Sequence, residues 1–391
     1  MSPPLRIIHA ALSLRESYGG PARSIPALAD ALAERGLDVA LLTADNEIAT
    51  DPLVRPRHSG VTFTTVPGVL DGSGLALWMP RFRAAITHAM APGVPTVLHD
   101  HGLWRATNRA MAAVARAKSV PLVVSPRGML QEWAREHRGA RKRVAWALYA
   151  RRDLASVRAL HATSASEART LLALGLRVPV VLVPNGVAMP ERVASADHGR
   201  ATRRLLFLGR LAPIKGLTTL VEAWRLARPS GWTLTLAGPD EDGYAASVRR
   251  AIADAGVAES VSLTGAVSDS DKWALISAHD AVVLPSHSES FGVAVAEGLA
   301  AGRPAITTTG TPWQSLVDAR CGWWVSPDAR SLADAIRALA ATSGTERDAM
   351  GRAGRALVER AYSWARVAGQ LTTVYEWAAR GGAPPDSLVR P

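Results

Sequence analysis

The chain has 391 residues, of which 48% are hydrophobic and 20% are charged, a composition that is typical of globular proteins and excludes a fibrous or disordered chain. Its length predicts two domains of ordinary size. A single cysteine, Cys321, excludes an internal disulfide, and no uncharged run is long enough to cross a bilayer, so we expect a cytoplasmic protein.

The net charge of +11 falls almost entirely in the first half of the chain. Residues 1–195 contain 24 Lys and Arg against 14 Asp and Glu, whereas residues 196–391 contain 21 against 20. A coding bias accounts for the preference for Arg over Lys, but not for this asymmetry. The first half is therefore predicted to face an anionic partner, which is a membrane surface, a phosphorylated acceptor or nucleic acid.

Short β-branched runs alternate with helical stretches along the whole chain, the pattern of strand-helix units around parallel sheets. Each half has enough predicted strands for a sheet of its own. In chain order they are Arg6–His9, Asp38–Thr43, Val61–Val66, Thr96–His99, Pro121–Ser125, Ala159–Thr163 and Val180–Val183 in the first half, and Leu205–Leu208, Thr233–Ala237, Val261–Leu263, Ala281–Leu284 and Ala305–Thr308 in the second.

A polar, irregular stretch after Asn185 interrupts this pattern and predicts the domain linker. The predicted organisation is an N-terminal domain (1–185), a linker (186–203), a second domain (204–365), a C-terminal helix that packs back on the first domain (366–380) and a flexible tail rich in Pro and Gly (381–391).

Two motifs of the first half follow predicted strands. Gly19 and Gly20 separate the first strand from a helix that begins near Pro21, and paired glycines let a backbone approach a phosphate closely. The segment LHDHGLW (98–104) ends another strand at the edge where ligands bind in doubly wound sheets.

The segment from Arg127 to Arg158 begins SPRGML and carries much of the positive charge, with nine Arg or Lys against three Asp or Glu. Basic residues recur at helical spacing beside aromatic ones, which indicates a basic face with interfacial aromatic rings. A solvated helix that packs on its aromatic residues explains the pattern equally well. The residues concerned are Arg135, Arg138 and Lys142, with Trp133, Trp146 and Tyr149.

Two motifs of the second half also follow strands directly. In FLGRLAPIKGL, Arg210 lies in the turn and Lys215 just before a helix, where two cations would neutralise a diphosphate and stabilise it as a leaving group. In PSHSESFGVAVAEGLAAG (285–302), small residues around Gly292 leave the backbone N–H groups of a helix start open to a diphosphate. Glu289 and Glu297 lie about two turns apart and can accept hydroxyl groups of a sugar and of a ribose.

The last of these segments resembles the Glu, seven residues, Glu motif of the retaining glycosyltransferases of family 4. The resemblance implies an α/β protein of the GT-B class, with two Rossmann-like domains whose parallel sheets face each other across a cleft. It assigns the transferred sugar to Glu289 and the ribose to Glu297, and the donor phosphates to Arg210 and Lys215. The same resemblance extends to the other motifs: Gly19 and Gly20 as the glycine-rich loop that closes on the donor, Ser290, Phe291 and Gly292 as further donor-binding residues, His101 as a contact of the donor sugar with a catalytic role, and Arg127 with Trp133 at the acceptor.

The resemblance implies transfer of a sugar, with retention of configuration, from a UDP- or GDP-sugar to a glycan or lipid-linked acceptor of cell-surface polysaccharide synthesis. The basic surface is then expected to rest on the inner leaflet of the cytoplasmic membrane. Neither a cofactor nor a metal is predicted, because helix capping explains the pairs of aspartates near Asp240 and Asp269. The sequence does not identify the base, the sugar, the linkage or the oligomeric state. After TTTG the chain has Trp313 and Gln314 where many relatives carry Pro-Glu. The identity of the donor is therefore not inferred from the family.

Two other functions stay open at this point. A nucleotide-sugar epimerase can share the fold and bind the same donor. A nucleic-acid-binding protein would use the basic first half, although it leaves the acidic pair of the second half unexplained.

Overall fold

The structure is a computed structural model that describes residues 5–44, 51–66, 80–130, 139–191 and 201–389. Contacts between residues divide the chain into two compact units, of which the first comprises Met1–Gly186 with Trp364–Pro391 and the second comprises Val187–Ser363. The chain thus enters the second unit once and returns to the first.

The first unit contains an eight-stranded sheet in the order β14-β7-β6-β5-β4-β1-β2-β3. All neighbouring strands are parallel except β14, which pairs antiparallel with β7 through Leu388 and Val181. The strands are β1 (Arg6–Ala11), β2 (Asp38–Thr43), β3 (Val61–Thr65), β4 (Thr96–His101), β5 (Leu122–Ser125), β6 (Ala159–Ala162), β7 (Val180–Leu182) and β14 (Leu388–Val389).

Helices cover both faces of this sheet, which is why its strands are continuous hydrophobic runs rather than alternating ones. Leu28 of α1 and Leu371 of α14 belong to the core on one face, whereas Phe82 of α2 and Met111 of α3 belong to the core on the other. The helices are α1 (Gly20–Glu34), α2 (Pro80–Ala89), α3 (Ala106–Lys118), α4 (Gly139–Ala145), a π-helical turn (Trp146–Ala150) that continues into α5 (Arg151–Ala155), α6 (Ala165–Leu172) and α14 (Trp364–Arg380), with a 3-10 turn at Glu16–Tyr18.

The second unit contains a six-stranded parallel sheet in the order β10-β9-β8-β11-β12-β13. A single hydrophobic core lines it. Its strands are β8 (Arg203–Leu208), β9 (Trp232–Ala237), β10 (Val261–Gly265), β11 (Ala281–Leu284), β12 (Ala305–Thr308) and β13 (Gly322–Val325). Its helices are α7 (Leu217–Ala227), α8 (Tyr244–Asp254), α9 (Asp269–Ser277), α10 (Val293–Ala300), α11 (Ser315–Asp318), α12 (Ala329–Ala341) and α13 (Gly344–Tyr362), with a 3-10 turn at Pro213–Lys215.

All twelve predicted strands are present, each within two residues of the expected ends. The sequence patterns missed β13 and β14. The segment of β13, GWWV, follows a short helix without a β-branched run, and β14 has only two residues, which pair through backbone groups that no side-chain pattern reports.

The chain passes between the two units twice. The first crossing follows Gly186, at the start of the predicted linker, of which residues 192–200 lie outside the described part. The second precedes Trp364, so α14 begins two residues before the predicted C-terminal helix and packs against α1. The predicted flexible tail contributes β14, because its backbone completes the edge of the first sheet next to β7.

Candidate functional site

Three loops of the second unit meet at the carboxyl edge of its sheet, where β8, β11 and β12 end. The backbone N–H of His287 donates to the carbonyl of Ile214 at 2.9 Å, and that of Glu289 donates to the carbonyl of Gly310 at 2.8 Å. Ligands of parallel α/β sheets bind outside this edge. The loops therefore hold one another where a ligand is expected.

Glycines make this close approach possible. Gly216 has a φ of +66°, and a Cβ atom there would lie 2.4 Å from the carbonyl oxygen of Pro285. A Cβ atom on Gly310 would lie 2.3 Å from the carbonyl oxygen of His287. A larger residue at either position must displace the backbone of the β11 loop.

An ion pair between Lys215 and Glu289 lies at the centre of these loops. The Lys215 ammonium donates to Oε1 of Glu289, which also accepts a hydrogen bond from Oγ of Ser286 at 2.9 Å. Both charged side chains are largely buried. An anionic ligand that binds Lys215 would take over the ammonium and leave the carboxylate of Glu289 to accept hydroxyl groups.

Glu297 forms a second ion pair that the sequence did not reveal. Its carboxylate accepts a hydrogen bond from Nζ of Lys272, on α9, at 2.6 Å, and both side chains are largely buried. The helix that carries Glu297 lies tight against β11, because a Cβ atom on Gly298 would come within 2.4 Å of Val282. Two of the four lysines therefore pair with the two glutamates of the motif.

Arg210 does not join the Lys215–Glu289 pair. Its guanidinium pairs with Glu241 at 2.6 Å, and both side chains are more than a third exposed. Such an exposed pair contributes little stability and exchanges partners readily. Arg210 thus lies on the same loop after β8 as Lys215 and is accessible to an anion.

Phe291 and Gly292 lie at the start of α10. Gly292, with a φ of +81°, is the N-cap of this helix. The ring of Phe291 is buried against Trp313 and Tyr362, so only its backbone faces the helix start. The indole of Trp313 donates to the carbonyl of Phe291 at 2.5 Å. Trp313, which stands where many relatives have a different residue, therefore supports the loop before α10 from the core side.

In the first unit, Gly19 and Gly20 begin α1. Gly19 has a φ of +76° and is the N-cap, and no atom lies within 4 Å of a Cβ atom built on Gly20. The first turn of α1 is thus uncrowded. Ser24, one turn further on, accepts a hydrogen bond from Nη1 of Arg127 at 3.1 Å, which ties this helix start to the loop after β5.

Arg127 and His101 contact each other at the carboxyl edge of the first sheet. Nε and Nη2 of Arg127 lie 3.3 and 3.1 Å from Nδ1 of His101, and Nη1 also donates to Oδ1 of Asn185 at 3.3 Å. Arg127 adopts a φ of +52°, which is uncommon for a residue with a side chain. Burial lowers the pKa of Arg127 to about 10, so the guanidinium stays charged at neutral pH.

A cluster of buried histidines lies beneath this contact. Burial lowers the pKa of His9 to about 3 and that of His161 to about 4, and it holds the pKa of His99 and of His101 well below the ordinary value. The rings are therefore neutral at pH 7. At that pH His101 is a hydrogen-bonding group rather than a source of protons.

Nitrogens of His9, His99 and His101 lie within 4.8 Å of one another, which is a spacing compatible with a metal ion. Hydrogen bonds already use both nitrogens of His99 and of His101. Of the six ring nitrogens of these three histidines, only Nε2 of His9 lacks a hydrogen-bond partner within the described residues. The charge of Arg127 next to His101 also disfavours a cation, so we assign the rings to hydrogen bonding.

The described aromatic residues of the basic segment make packing contacts. Trp133, Arg135 and Arg138 lie outside the described residues. Of the two explanations that the sequence left open, the packed helix fits these contacts, because Trp146 packs near Trp104 and Tyr149 packs beneath the guanidinium of Arg109. The π-helical turn changes the register of the helix at these residues.

A different face of the same helical segment is exposed. Val144 is 58% exposed and Leu148 is 76% exposed, the two largest values among the described large hydrophobic residues. Exposed arginines flank them, namely Arg143, Arg151 and Arg152. We call these five residues the helical patch. No described helix is both long and apolar enough to span a membrane.

Solved structures share this two-sheet architecture. Sucrose-phosphate synthase from Thermosynechococcus elongatus matches with a TM-score of 0.75 at 20% identity, covering 95% of this chain and 98% of that one. HepE of Anabaena, in complex with UDP and glucose, matches with a TM-score of 0.69 at 16% identity, covering 94% and 98%. The fold is GT-B, the two-domain class of glycosyltransferases.

Two family models match successive parts of the chain: a glycosyl transferase 4-like domain over residues 19–186 and glycosyl transferases group 1 over residues 202–342. The GDP-mannose:cellobiosyl-diphosphopolyprenol alpha-mannosyltransferase of Xanthomonas campestris is 26% identical over 99% of this chain and all of its own length. A D-inositol 3-phosphate glycosyltransferase of Pseudarthrobacter chlorophenolicus is 29% identical over 90% of this chain and 88% of its own. The chain belongs to the glycosyltransferases of family 4. It is therefore a glycosyltransferase, the first of the three functions that the sequence left open.

Proposed function

We propose that the second unit binds a nucleotide-sugar and that the enzyme transfers the sugar with retention of configuration. The observation that carries the proposal is the buried pair of Lys215 and Glu289 on loops that meet at the carboxyl edge of the sheet. The donor diphosphate displaces Glu289 from Lys215, and Arg210 leaves Glu241 to add a second positive charge. Both cations then stabilise the diphosphate as the glycosidic bond breaks.

We propose the remaining donor contacts from the family resemblance. Once displaced, Glu289 accepts hydroxyl groups of the transferred sugar, and Glu297 accepts those of the ribose. The backbone around Ser290, Phe291 and Gly292 meets the phosphates at the start of α10. In the first unit, Gly19 and Gly20 supply open backbone N–H groups, and His101 donates or accepts at the sugar as a neutral ring.

The donor test uses the nucleotides of the relatives and structural neighbours. HepE was solved with UDP, and the Xanthomonas campestris relative is named for GDP-mannose. We expect one of UDP, GDP or ADP to raise the melting temperature, because a ligand that binds only the folded state stabilises it. Transfer is expected to continue in EDTA, since the cations of the chain replace a metal. If no nucleoside diphosphate changes the melting temperature, the proposal is wrong.

We propose a lipid-linked glycan as the acceptor, in the synthesis of a cell-surface polysaccharide. The relative from Xanthomonas campestris is named for an acceptor of this class, cellobiosyl diphosphopolyprenol. Arg127 supports the proposal because its charged guanidinium contacts only neutral side chains, of His101, Ser24 and Asn185, and has no carboxylate partner among the described residues. The charge of Glu167 favours the guanidinium without contacting it, and an acceptor phosphate would add an anion in direct contact.

We further propose that the helical patch binds an anionic cytoplasmic leaflet that carries such an acceptor. Exposed Val144 and Leu148 insert among the lipids, and the flanking arginines contact headgroups. The protein is expected to sediment with phosphatidylglycerol vesicles at low salt but not with phosphatidylcholine vesicles. The double variant Val144→Ser, Leu148→Ser should abolish this, whereas Val317→Ser, which removes a 52% exposed side chain of the second unit, should not. Equal sedimentation of all three proteins would contradict membrane binding through the patch.

A further inference from the structure

Polar residues form two successive rows at the carboxyl edge of the first sheet. The inner row comprises His99 of β4, Ser125 of β5, His161 of β6 and the carbonyl of Val183, which follows β7. The outer row comprises His101, Arg127 and Asn185, which lie two residues after His99, Ser125 and Val183. The hydrogen bonds of Arg127 join these three residues. Arg127, which we assign to the acceptor, thus lies directly beyond a second polar layer.

The inner row is a continuous chain of hydrogen bonds. The hydroxyl of Tyr375, on α14, lies 2.6 Å from Nδ1 of His99, and Nε2 of His99 lies 2.7 Å from Oγ of Ser125. Ser125 lies 2.6 Å from Nδ1 of His161, whose Nε2 lies 2.8 Å from the carbonyl of Val183. All four side chains are at most 2% exposed.

The carbonyl of Val183, at one end of the inner row, determines which atom donates in each of its hydrogen bonds. A carbonyl only accepts, so Nε2 of His161 carries the hydrogen, and Nδ1 of this neutral ring must accept from the hydroxyl of Ser125. Ser125 then accepts from Nε2–H of His99, and His99 accepts from the hydroxyl of Tyr375. No alternative set of directions satisfies all four bonds.

The same reasoning orders the outer row. The guanidinium of Arg127 only donates, so Nδ1 of His101 accepts and Nε2 of His101 carries the hydrogen. That hydrogen is donated to Nδ1 of His9 at 2.9 Å, which leaves the hydrogen of His9 on Nε2. The four histidines of this cluster, His9, His99, His101 and His161, therefore have the Nε2–H form.

A purely apolar layer would fill this volume without the need to satisfy every buried donor and acceptor. The polar layer fixes the position of Ser125, because His99 and His161 bind its hydroxyl from both sides. Ser125 lies two residues before Arg127, so it also restrains the loop that carries Arg127. Arg127 needs this support, since it has a φ of +52°. On the far side of the same loop, the N–H of Gly128 is bound by the buried carboxylate of Glu167 at 2.5 Å.

We propose that Ser125, His99, His161 and Tyr375 are positioning residues, which hold Arg127, together with its hydrogen-bond partner His101, in the geometry that receives the acceptor. This rests on the proposed acceptor role of Arg127. Through Tyr375 the C-terminal helix takes part in the same device. None of the four residues is assigned a contact with substrate.

The kinetic test compares Ser125→Ala and Tyr375→Phe with Thr107→Ala. Thr107 is as buried as Ser125, but its hydroxyl has no hydrogen-bond partner within the described residues, so its removal breaks no bond. The probe is a cellobiosyl diphosphate carried on a short prenyl chain, with the nucleotide-sugar found in the donor screen. We expect kcat/KM for the acceptor to fall about tenfold or more in the first two variants, with nucleotide Kd unchanged, and to stay at the wild-type value in Thr107→Ala. A lower melting temperature with unchanged kcat/KM in Ser125→Ala and Tyr375→Phe would overturn the proposal.

A second measurement is independent of the acceptor. In protein labelled with ¹⁵N in the histidine rings, the assigned signals of His9, His99, His101 and His161 should show the Nε2–H form at pH 7. In Ser125→Ala the ring signals of His101 and His9 should shift together with those of His99 and His161. Should only His99 and His161 change, the inner row does not position the outer one. If the wild type fails to use the acceptor while all four rings shift, the proposed acceptor is wrong and the positioning device stands.

Discussion

Asp100 is a buried carboxyl group, and its replacement by Asn should stabilise the protein relative to the wild type by an amount that increases with pH. Its side chain is 1% exposed. One oxygen accepts from Nδ2 of Asn108 at 2.8 Å, and the other has no partner within the described residues. Burial raises the pKa of Asp100 from 3.8 to about 7, against the smaller opposing effect of the hydrogen bonds.

The magnitude follows from this difference in pKa between the folded and unfolded states. The folded state retains the proton to higher pH, so the contribution of Asp100 to stability is fully present below pH 3.8 and is lost as the pH rises to about 7. About three pKa units correspond to a loss of roughly 4 kcal/mol. Asn keeps the acceptor for Asn108 but does not ionise.

The assay is urea unfolding of Asp100→Asn and the wild type at several pH values between 4 and 8. The free energy of unfolding of the variant relative to the wild type should rise with pH by up to about 4 kcal/mol. Contributions of other groups cancel in this difference. Asp254→Asn, at a 73% exposed side chain, is the matched control. A difference between Asp100→Asn and the wild type that does not change with pH would refute the reasoning.

Three further predictions concern the glycine approach, the core and the histidines. Gly216→Ala should lower both the melting temperature and the nucleotide affinity, because its Cβ atom would collide with the backbone of Pro285. The control Gly256→Ala has a similar φ of +64° but no atom of another described residue within 4 Å, so it should cost only about 1 kcal/mol of backbone strain. Equal effects of the two substitutions would contradict the close approach at Gly216. Trp313→Phe should lower the free energy of unfolding by about 1–3 kcal/mol, because the carbonyl of Phe291 loses its donor, and an unchanged value by urea unfolding would argue against that bond. Burial lowers the pKa of His9 to about 3 and that of His161 to about 4. The free energy of unfolding should therefore fall as the pH drops below 6.5, by up to about 1.4 kcal/mol per pH unit for each ring. A melting temperature that stays constant from pH 7 to 5 would contradict this.

The sequence patterns predicted the sheets and the motifs because both depend on residues close together in the chain. The β-branched runs located twelve strands, and their carboxyl ends located Lys215 and Glu289. The partnership of Lys272 with Glu297 was missed, because it joins two helices separated in sequence.

The polar rows beneath Arg127 were missed for the same reason. His99, Ser125 and His161 lie on three different strands, and Tyr375 lies on the last helix, so only the fold brings them together. The helical spacing could not decide which face Tyr149 lies on, because a π-helical turn breaks that spacing.

The binding of nucleoside diphosphates to Lys215→Gln tests the central claim most directly. We predict, by isothermal titration calorimetry, that this variant loses at least about tenfold in affinity for the nucleoside diphosphate that stabilises the wild type. Lys118→Gln, which changes a lysine at the end of α3 in the first unit, should bind as the wild type does. Unaltered affinity and turnover in Lys215→Gln would contradict a donor site at the Lys215–Glu289 pair.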